Sequence, residues 1–433
     1  MNNSIKTFET SNLAGRLAVA VVIMASIAMV WFGVRWQFGN MLSELTPPGD
    51  PNANEVAQLA VSLAPRDPLA RWLAASNANN IFAAETVESS TVMYEDVVRL
   101  SPQDFRWWIE LGRSLEQAEA SERAETAFRR AVELAPSYTF PRWQIGNFYL
   151  RQNRTDEAFA ELRKTTEKSI AYREQVFSLA WDFFDHDASR VEALAADSPD
   201  VFVTLARFYA QRGSAENALR VWNKVDAATR ANNILVAREM AQVLHDKMFY
   251  RQSLDFARQT GIDPESNFET VTNGGFEKFP SAPEETLFGW RIFKNEARLD
   301  ISSDSTVRSE GSRSLKITFR SYQKADLYNI SQFVAVTPGA RYRLKFILRT
   351  ENLRSGGPPL IQIVSGNPAV KIGGSVPFPS GSNDWQEVTV DFRVPENEDG
   401  VNILTRRVDC GPECPIVGVM WYDNFRLERL GDQ

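Results

Sequence analysis

Residues 108–136 read WIELGRSLEQAEASERAETAFRRAVELAP, and this stretch decides how the first half of the chain folds. Trp108, Leu111, Gly112 and Leu115 share one face at helical spacing. Ala124, Phe128 and Ala131 do the same in a second segment, which Pro136 then stops. About 34 residues further on the order returns as Ile145, Gly146, Tyr149, Ala158 and Leu162. A third pass offers Leu179, Ala180 and Phe183, and a later one Leu205, Ala206, Tyr209, Ala218 and Trp222. Small residues at 112, 146 and 180 let two helices of a unit approach closely. Bulky ones at 115, 149 and 183 fill the gap to the next unit.

These positions resemble the tetratricopeptide family, closely over 105–172 and more loosely over 54–104 and 173–260. The first unit lacks the glycine, and the unit containing Ala180 has a shortened second helix near Val191–Ala196. The resemblance implies an all-α solenoid over 54–262 whose concave groove docks a partner's peptide or helix. The competing reading is a spacer. Trp107, Trp143 and Trp181 read as core filling.

The bulk composition narrows the function classes. The 433 residues are 43% hydrophobic and 24% charged, as in folded multidomain proteins. A net charge of −7 argues against a nucleic-acid binder. Only two histidines (His186, His245) and two cysteines are present, a poor inventory for catalysis by imidazole, thiolate or zinc.

Leu17–Val34, LAVAVVIMASIAMVWFGV, is eighteen residues without a charge, near the minimum for crossing a bilayer. Trp31, Phe32 and Trp36 suit an interfacial belt, and Lys6 and Arg16 before the run favour the N-terminus inside. The run predicts a cytoplasmic segment 1–16, a transmembrane anchor 17–36 and a linker 37–53 broken by Pro47, Pro48 and Pro51. A cleaved leader is the alternative, although no small-x-small site precedes Trp36. Both readings place the bulk of the chain outside the cytoplasm, in the periplasm, and the anchor reading tethers it at an inner or plasma membrane.

After Gly261 the texture changes to Gly, Pro, Ser and alternating apolar residues, with about nine strand-like runs. Tyr342, Leu344, Phe346 and Leu348 alternate strictly, so one face is buried and one wet. Many short strands over 267–431 predict an all-β sandwich or jelly roll.

Five pieces here, in order, resemble the galactose-binding-like jelly rolls, and more narrowly the carbohydrate-binding modules attached to xylanases and glucanases. They are NGGFE, SEGSRSLKI, QFVAVTPGARYRLKF, DWQEVTVDFRVP and the closing WYDNFRL. The resemblance implies that Glu277 and Asp423 meet at one edge of the sandwich around a structural calcium. Gly274 and Gly275 would turn carbonyls toward the ion, and the loop around Gly311 and Ser312 would supply another. Two solvated surface acids are the plain alternative. A catalytic carboxylate pair finds no cleft-forming motif. For a sugar, the expected contacts are Tyr322, Tyr328, Trp290, Gln362 and Arg407. Trp290 and Trp385 also read as core, and the fold is compatible with protein contact alone.

Cys410 and Cys414, in DCGPECP, read as a structural disulfide closing a tight loop. A metal site lacks further ligands nearby. Together these features predict a non-enzymatic, membrane-anchored scaffold with a protein partner, a possible polysaccharide, and no nucleic acid. In the alternative both domains bind protein only.

Overall fold

The computed structural model describes residues 12–78, 84–195, 197–280, 282–294, 297–324, 326–327, 329–366, 369–411 and 414–431. It divides into two compact units, Met1–Leu179 and Ala180–Gln433.

The first unit opens with α1 (Leu13–Leu45), capped by Asn12, whose side chain accepts from the Gly15 N–H at 2.7 Å. α1 is long and apolar enough to cross a membrane. It does not give way to a linker at residue 37. The helix runs on to Leu45, and only then do Pro47, Pro48 and Pro51 turn the chain into α2 (Ala53–Leu63) and α3 (Pro68–Ala78). Gly39 and Ser43 are buried there: small residues allow α2 to lie against the helix, which the proline count alone did not disclose.

After α4 (Ala84–Leu100) come the hairpins α5 (Phe105–Gln117) with α6 (Ser121–Leu134), and α7 (Thr139–Arg151) with α8 (Thr155–Lys168). A Cβ on Gly112 would stand 2.9 Å from the Phe128 ring, and one on Gly146 would stand 2.8 Å from Leu162 Cγ. Ala124, Phe128, Ala131, Ala158 and Leu162 are sealed between the helices. Leu111 and Tyr149 are buried, Trp108 is half-buried with its indole N–H on the Pro102 carbonyl, and Pro136 is exposed at the turn.

Each hairpin turns in the same way. Glu119 and Asn153 take φ near 58°, and the next N–H reaches back five residues, Ala120 to Leu115 and Arg154 to Tyr149. That is the helix C-cap in which one left-handed residue closes the last turn. It recurs in the second unit at Asp185, Gly213 and Met248.

α9 (Ile170–Phe183) contains the division between the units. The second unit continues with α10 (Ala188–Glu192), only five residues long, then α11 (Pro199–Gln211), α12 (Ala215–Trp222), α13 (Ala227–Asn232), α14 (Ile234–Asp246) and α15 (Tyr250–Gln259). Phe183 does not fill a gap as its position in the repeat predicts. It is 48% exposed, because the truncated α10 offers it no second helix to pack on.

The strands form an antiparallel two-sheet sandwich. One sheet orders β1 (Arg291–Ile292), β4 (Ile330–Ala335), β9 (Gly400–Arg407), β6 (Pro359–Ser365) and β7 (Val370–Gly374). The other orders β2 (Leu299–Asp304), β3 (Ser314–Tyr322), β10 (Ile416–Leu430), β5 (Arg341–Ser355) and β8 (Gly381–Arg393). Tyr342, Leu344, Phe346 and Leu348 are fully buried between the sheets, as their alternation requires.

The last helical pair belongs to this core. Asp399 accepts from the Tyr250 and Arg251 N–H groups and so caps α15 from the sandwich. Tyr250 stacks on Phe333 of β4 with centroids 5.6 Å apart, and His245 of α14 meets the same ring edge-on at 4.5 Å.

Candidate functional site

Glu277 and Asp423 come together, though not at a sheet edge. Asp423 lies on β10, the middle strand of its sheet, and Glu277 on the turn before β1. The Phe425 N–H donates to the Gly274 carbonyl at 2.9 Å, which draws that turn across β10. Asn424, at φ 57°, bulges the strand and sends Asp423 inward.

The two acids have unlike surroundings. Asp423 is fully buried. Its Oδ2 accepts from the Ser309 and Glu310 N–H groups at 2.9 and 3.1 Å, while Oδ1 has no partner. Burial pushes its carboxyl above the ordinary range, against those N–H groups, and the charge of Glu277 pushes the same way. Glu277 is exposed and accepts from the Ser312 hydroxyl and N–H, which hold its carboxyl below the ordinary range. The reading of both as solvated surface charges therefore fails for Asp423.

The two carboxylates face a space kept open by a glycine. A Cβ on Gly275 would lie 3.8 Å from Glu277 Oε1 and 3.9 Å from Asp423 Oδ1, so glycine leaves the space between the two oxygens open. A buried carboxylate oxygen without a donor is the group a cation satisfies. Among the described residues no group of three or more His, Cys, Asp or Glu comes together, so the remaining ligands would be carbonyl, hydroxyl or water oxygens.

The residues expected to meet a sugar are placed otherwise. Trp290 is core, tilted on Phe276 and edge-on to Phe425 at 5.1 and 4.9 Å. Tyr322 is 3% exposed, and its hydroxyl donates to the Asp326 carbonyl. A bulge at Ser321, φ 57°, turns its ring to the core side. Arg407 is an internal strut, donating to the Gly357 carbonyl at 3.0 Å, the Lys324 carbonyl at 2.5 Å and the Ser355 hydroxyl at 2.8 Å. Burial pushes its guanidinium below its ordinary value. Gln362 is buried and accepts from Arg406. Tyr328 lies outside the described residues.

Cys410 and Cys414 are joined with Cα atoms 5.5 Å apart, and Arg407 Nη2 donates to Cys414 Sγ. In the repeats a cavity of about 590 Å³ opens between α4, α5 and α6, lined by Val98, Trp108, Leu111, Leu115, Arg99 and Arg123.

Sequence reasoning missed His245, Asp263 and Asp399. Asp263 Oδ2 accepts from the Leu287 and Phe288 N–H groups and its Oδ1 from the Thr286 hydroxyl, tying the end of the helices to the sandwich. No spacing rule flags a single acid that caps backbone so far along the chain. A histidine amid apolar helix positions was the one visible hint.

Comparison with known proteins agrees with both halves. Residues 106–138 match the tetratricopeptide repeat family, and residues 269–405 match a carbohydrate binding domain family. No curated protein matches the sequence. Among solved structures the chain is similar to one described as CBM4 structure and function, at 15% identity and TM-score 0.29, covering 37% of this chain and 99% of that one. It is also similar to MamA 41-end from Desulfovibrio magneticus RS-1, at 20% identity and TM-score 0.26, covering 31% and 72%. A third is TmCBM61 in complex with β-1,4-galactotriose, at 18% identity and TM-score 0.26, covering 37% and 97%. The chain thus joins repeats of a protein-interaction type to a module of a carbohydrate-binding type.

Proposed function

We propose that the chain is a non-enzymatic scaffold, anchored by α1 with its bulk on the extracytoplasmic side, in a cell-envelope or exopolysaccharide system. The repeats dock a protein and the sandwich contacts a polysaccharide. The observation that carries this reading is the pairing, in one chain, of a repeat match with a carbohydrate-binding match behind a helix apolar enough to span a bilayer. In the one acid pair singled out from the sequence, Asp423 accepts from backbone N–H groups and Glu277 from a backbone N–H and a hydroxyl, which suits holding a loop and not moving protons.

We also propose that Asp423 and Glu277 hold a structural calcium, with Gly275 leaving room for it and Ser312 beside it. The ion would neutralise the orphaned Asp423 Oδ1. Binding to the folded state alone stabilises by about 2.7 kcal/mol at a hundred times the dissociation constant. Chelator should therefore lower the melting temperature, and calcium but not magnesium should restore it. An Asp423→Asn protein should melt alike with and without chelator. A wild type indifferent to chelator returns the pair to a metal-free loop clasp.

A second reading has a specific observation behind it: Trp290, Tyr322, Gln362 and Arg407 are all buried. In that reading the sandwich is an assembly module that binds no sugar. A glycan array on residues 180–433 separates the two. That fragment keeps α14 and α15, which the sandwich caps and covers. Binding to a polysaccharide class supports the first reading, and a blank array the second.

A further inference from the structure

We propose that the turn between α2 and α3, residues 62–68, rests on the membrane surface, with Arg35, Arg66 and Arg71 contacting lipid phosphate. The inference rests on α1 being a bilayer span and says what the first repeat does there.

α1 passes from its apolar run into the repeat stack without a break. Three contacts then fix the height of α2. The Arg35 guanidinium donates to the Ser62 carbonyl. A Cβ on Gly39 would lie 2.7 Å from Ala64 Cβ and 2.8 Å from the Ala60 carbonyl oxygen. Asn40 Nδ2 donates to Asp67 Oδ2 at 3.0 Å. The C-terminal end of α2 is therefore level with residues 35–40 of α1, and its N-terminal end points away toward Leu45.

The height can be put in ångströms. Gly39 is five residues beyond Val34, about 7.5 Å at 1.5 Å per residue. The headgroup layer on each side of a bilayer is roughly 5–8 Å thick. The eighteen-residue run spans about 27 Å, a little short of the ~30 Å hydrocarbon core, so the residues after it are drawn toward the membrane and not lifted from it. Residues 62–68 sit in or against the headgroups.

Charge is sorted the same way. Arg35, Arg66 and Arg71 lie at this level, and among the described residues none has a carboxylate partner; Arg71 Nε donates to the Pro65 carbonyl and is held over the turn. The acid beside them, Asp67, is buried and taken up by Asn40 and the Ala70 N–H. Glu44, Asp50 and Glu55 stand at the opposite end of the α1–α2 pair, Glu44 about 15 Å above Val34 along the helix. Arginine forks fit phosphate oxygens in pairs, and basic groups near an anionic surface add to binding.

The test uses the full chain with an environment-sensitive fluorophore on one introduced cysteine, the native pair being bridged. Reporters go at Arg66→Cys, at Ile27→Cys inside the apolar run, and at Glu133→Cys on the repeats. Vesicles of phosphatidylcholine alone, or mixed with phosphatidylglycerol, carry a nitroxide on the headgroup or deep in the acyl chain. The proposal expects headgroup quenching at 66 several-fold above that at 133, stronger with phosphatidylglycerol, and weakened by Arg71→Glu. Deep quenching at 27 with none at 66 overturns the proposal while α1 remains a membrane span. No quenching at 27 overturns the span itself and the proposal with it.

Discussion

Two glycines of the repeats and one of the sandwich meet different neighbours, and the difference separates how each position tolerates change. In the repeats, a Cβ on Gly112 or Gly146 would press on the buried side chains of Phe128 or Leu162. In the sandwich, a Cβ on Gly274 would overlap the Phe425 carbonyl oxygen, on the main chain of β10. At Gly112 and Gly146 the nearest neighbour is a side chain that has rotatable bonds. At Gly274 it is main chain, with no side-chain bond to rotate.

Substituting alanine in each region tests this directly. Gly274→Ala should have the largest effect, at or above the top of the ~1–3 kcal/mol range for overpacking, because backbone has to move. It should also abolish any calcium response, since it displaces the turn carrying Glu277. Reducing the disulfide comes next: for so short a loop the chain-entropy estimate is about 2 kcal/mol. Thiol labelling without reductant should find neither Cys410 nor Cys414 free, and melting with and without reductant measures the loss. Gly146→Ala should cost about 1 kcal/mol or less, since alanine's helix propensity offsets part of the contact with Leu162. If thermal unfolding shows Gly146→Ala as costly as Gly274→Ala, the contrast between movable and immovable neighbours is wrong.

The smallest effects are slopes with pH. The Asp423 carboxyl is raised above its usual 3.8 by burial, so without metal its protonated form favours folding. That stability is present below pH ~4 and lost as pH rises through the raised value, and calcium should reverse the slope. His245 is lowered from 6.5 by burial, with Arg291 pushing the same way and Asp246 opposing. Its contribution is present above pH ~6.5 and lost as pH falls toward the lowered value. Melting temperatures from pH 8 to 4 should show this acid-side loss, and His245→Phe, which keeps an aromatic ring against Phe333, should flatten it.

Much of the architecture was legible from period alone. Repeats at 34-residue spacing and the alternation at Tyr342–Leu348 are enough to say which faces are buried. The turns between helices were not legible. Of the left-handed caps between helices, Gly213 and Asn153 carry residue types that favour one, and Glu119, Asp185 and Met248 take the same conformation without that signal. The site was half legible. Glu277 and Asp423 were found through resemblance, but the burial of Asp423 was not. Arg407 had a readable signal: Val401, Ile403, Thr405 and Arg407 share the inward face of β9. Tyr322 had none, because the bulge at Ser321 reverses the alternation that sequence spacing assumes.

The cap that Asp399 places on α15 bears on the order in which the chain can fold during synthesis. The acceptor lies 149 residues after the N–H it satisfies at Tyr250. At roughly 5–20 residues per second, a ribosome delivers Asp399 about 7–30 seconds after Tyr250. Through that interval α15 has an open N-terminus, and the faces of Tyr250 and His245 that later meet Phe333 stand in solvent. The earlier hairpins close as they emerge, while this last one has to wait for most of the sandwich to be made.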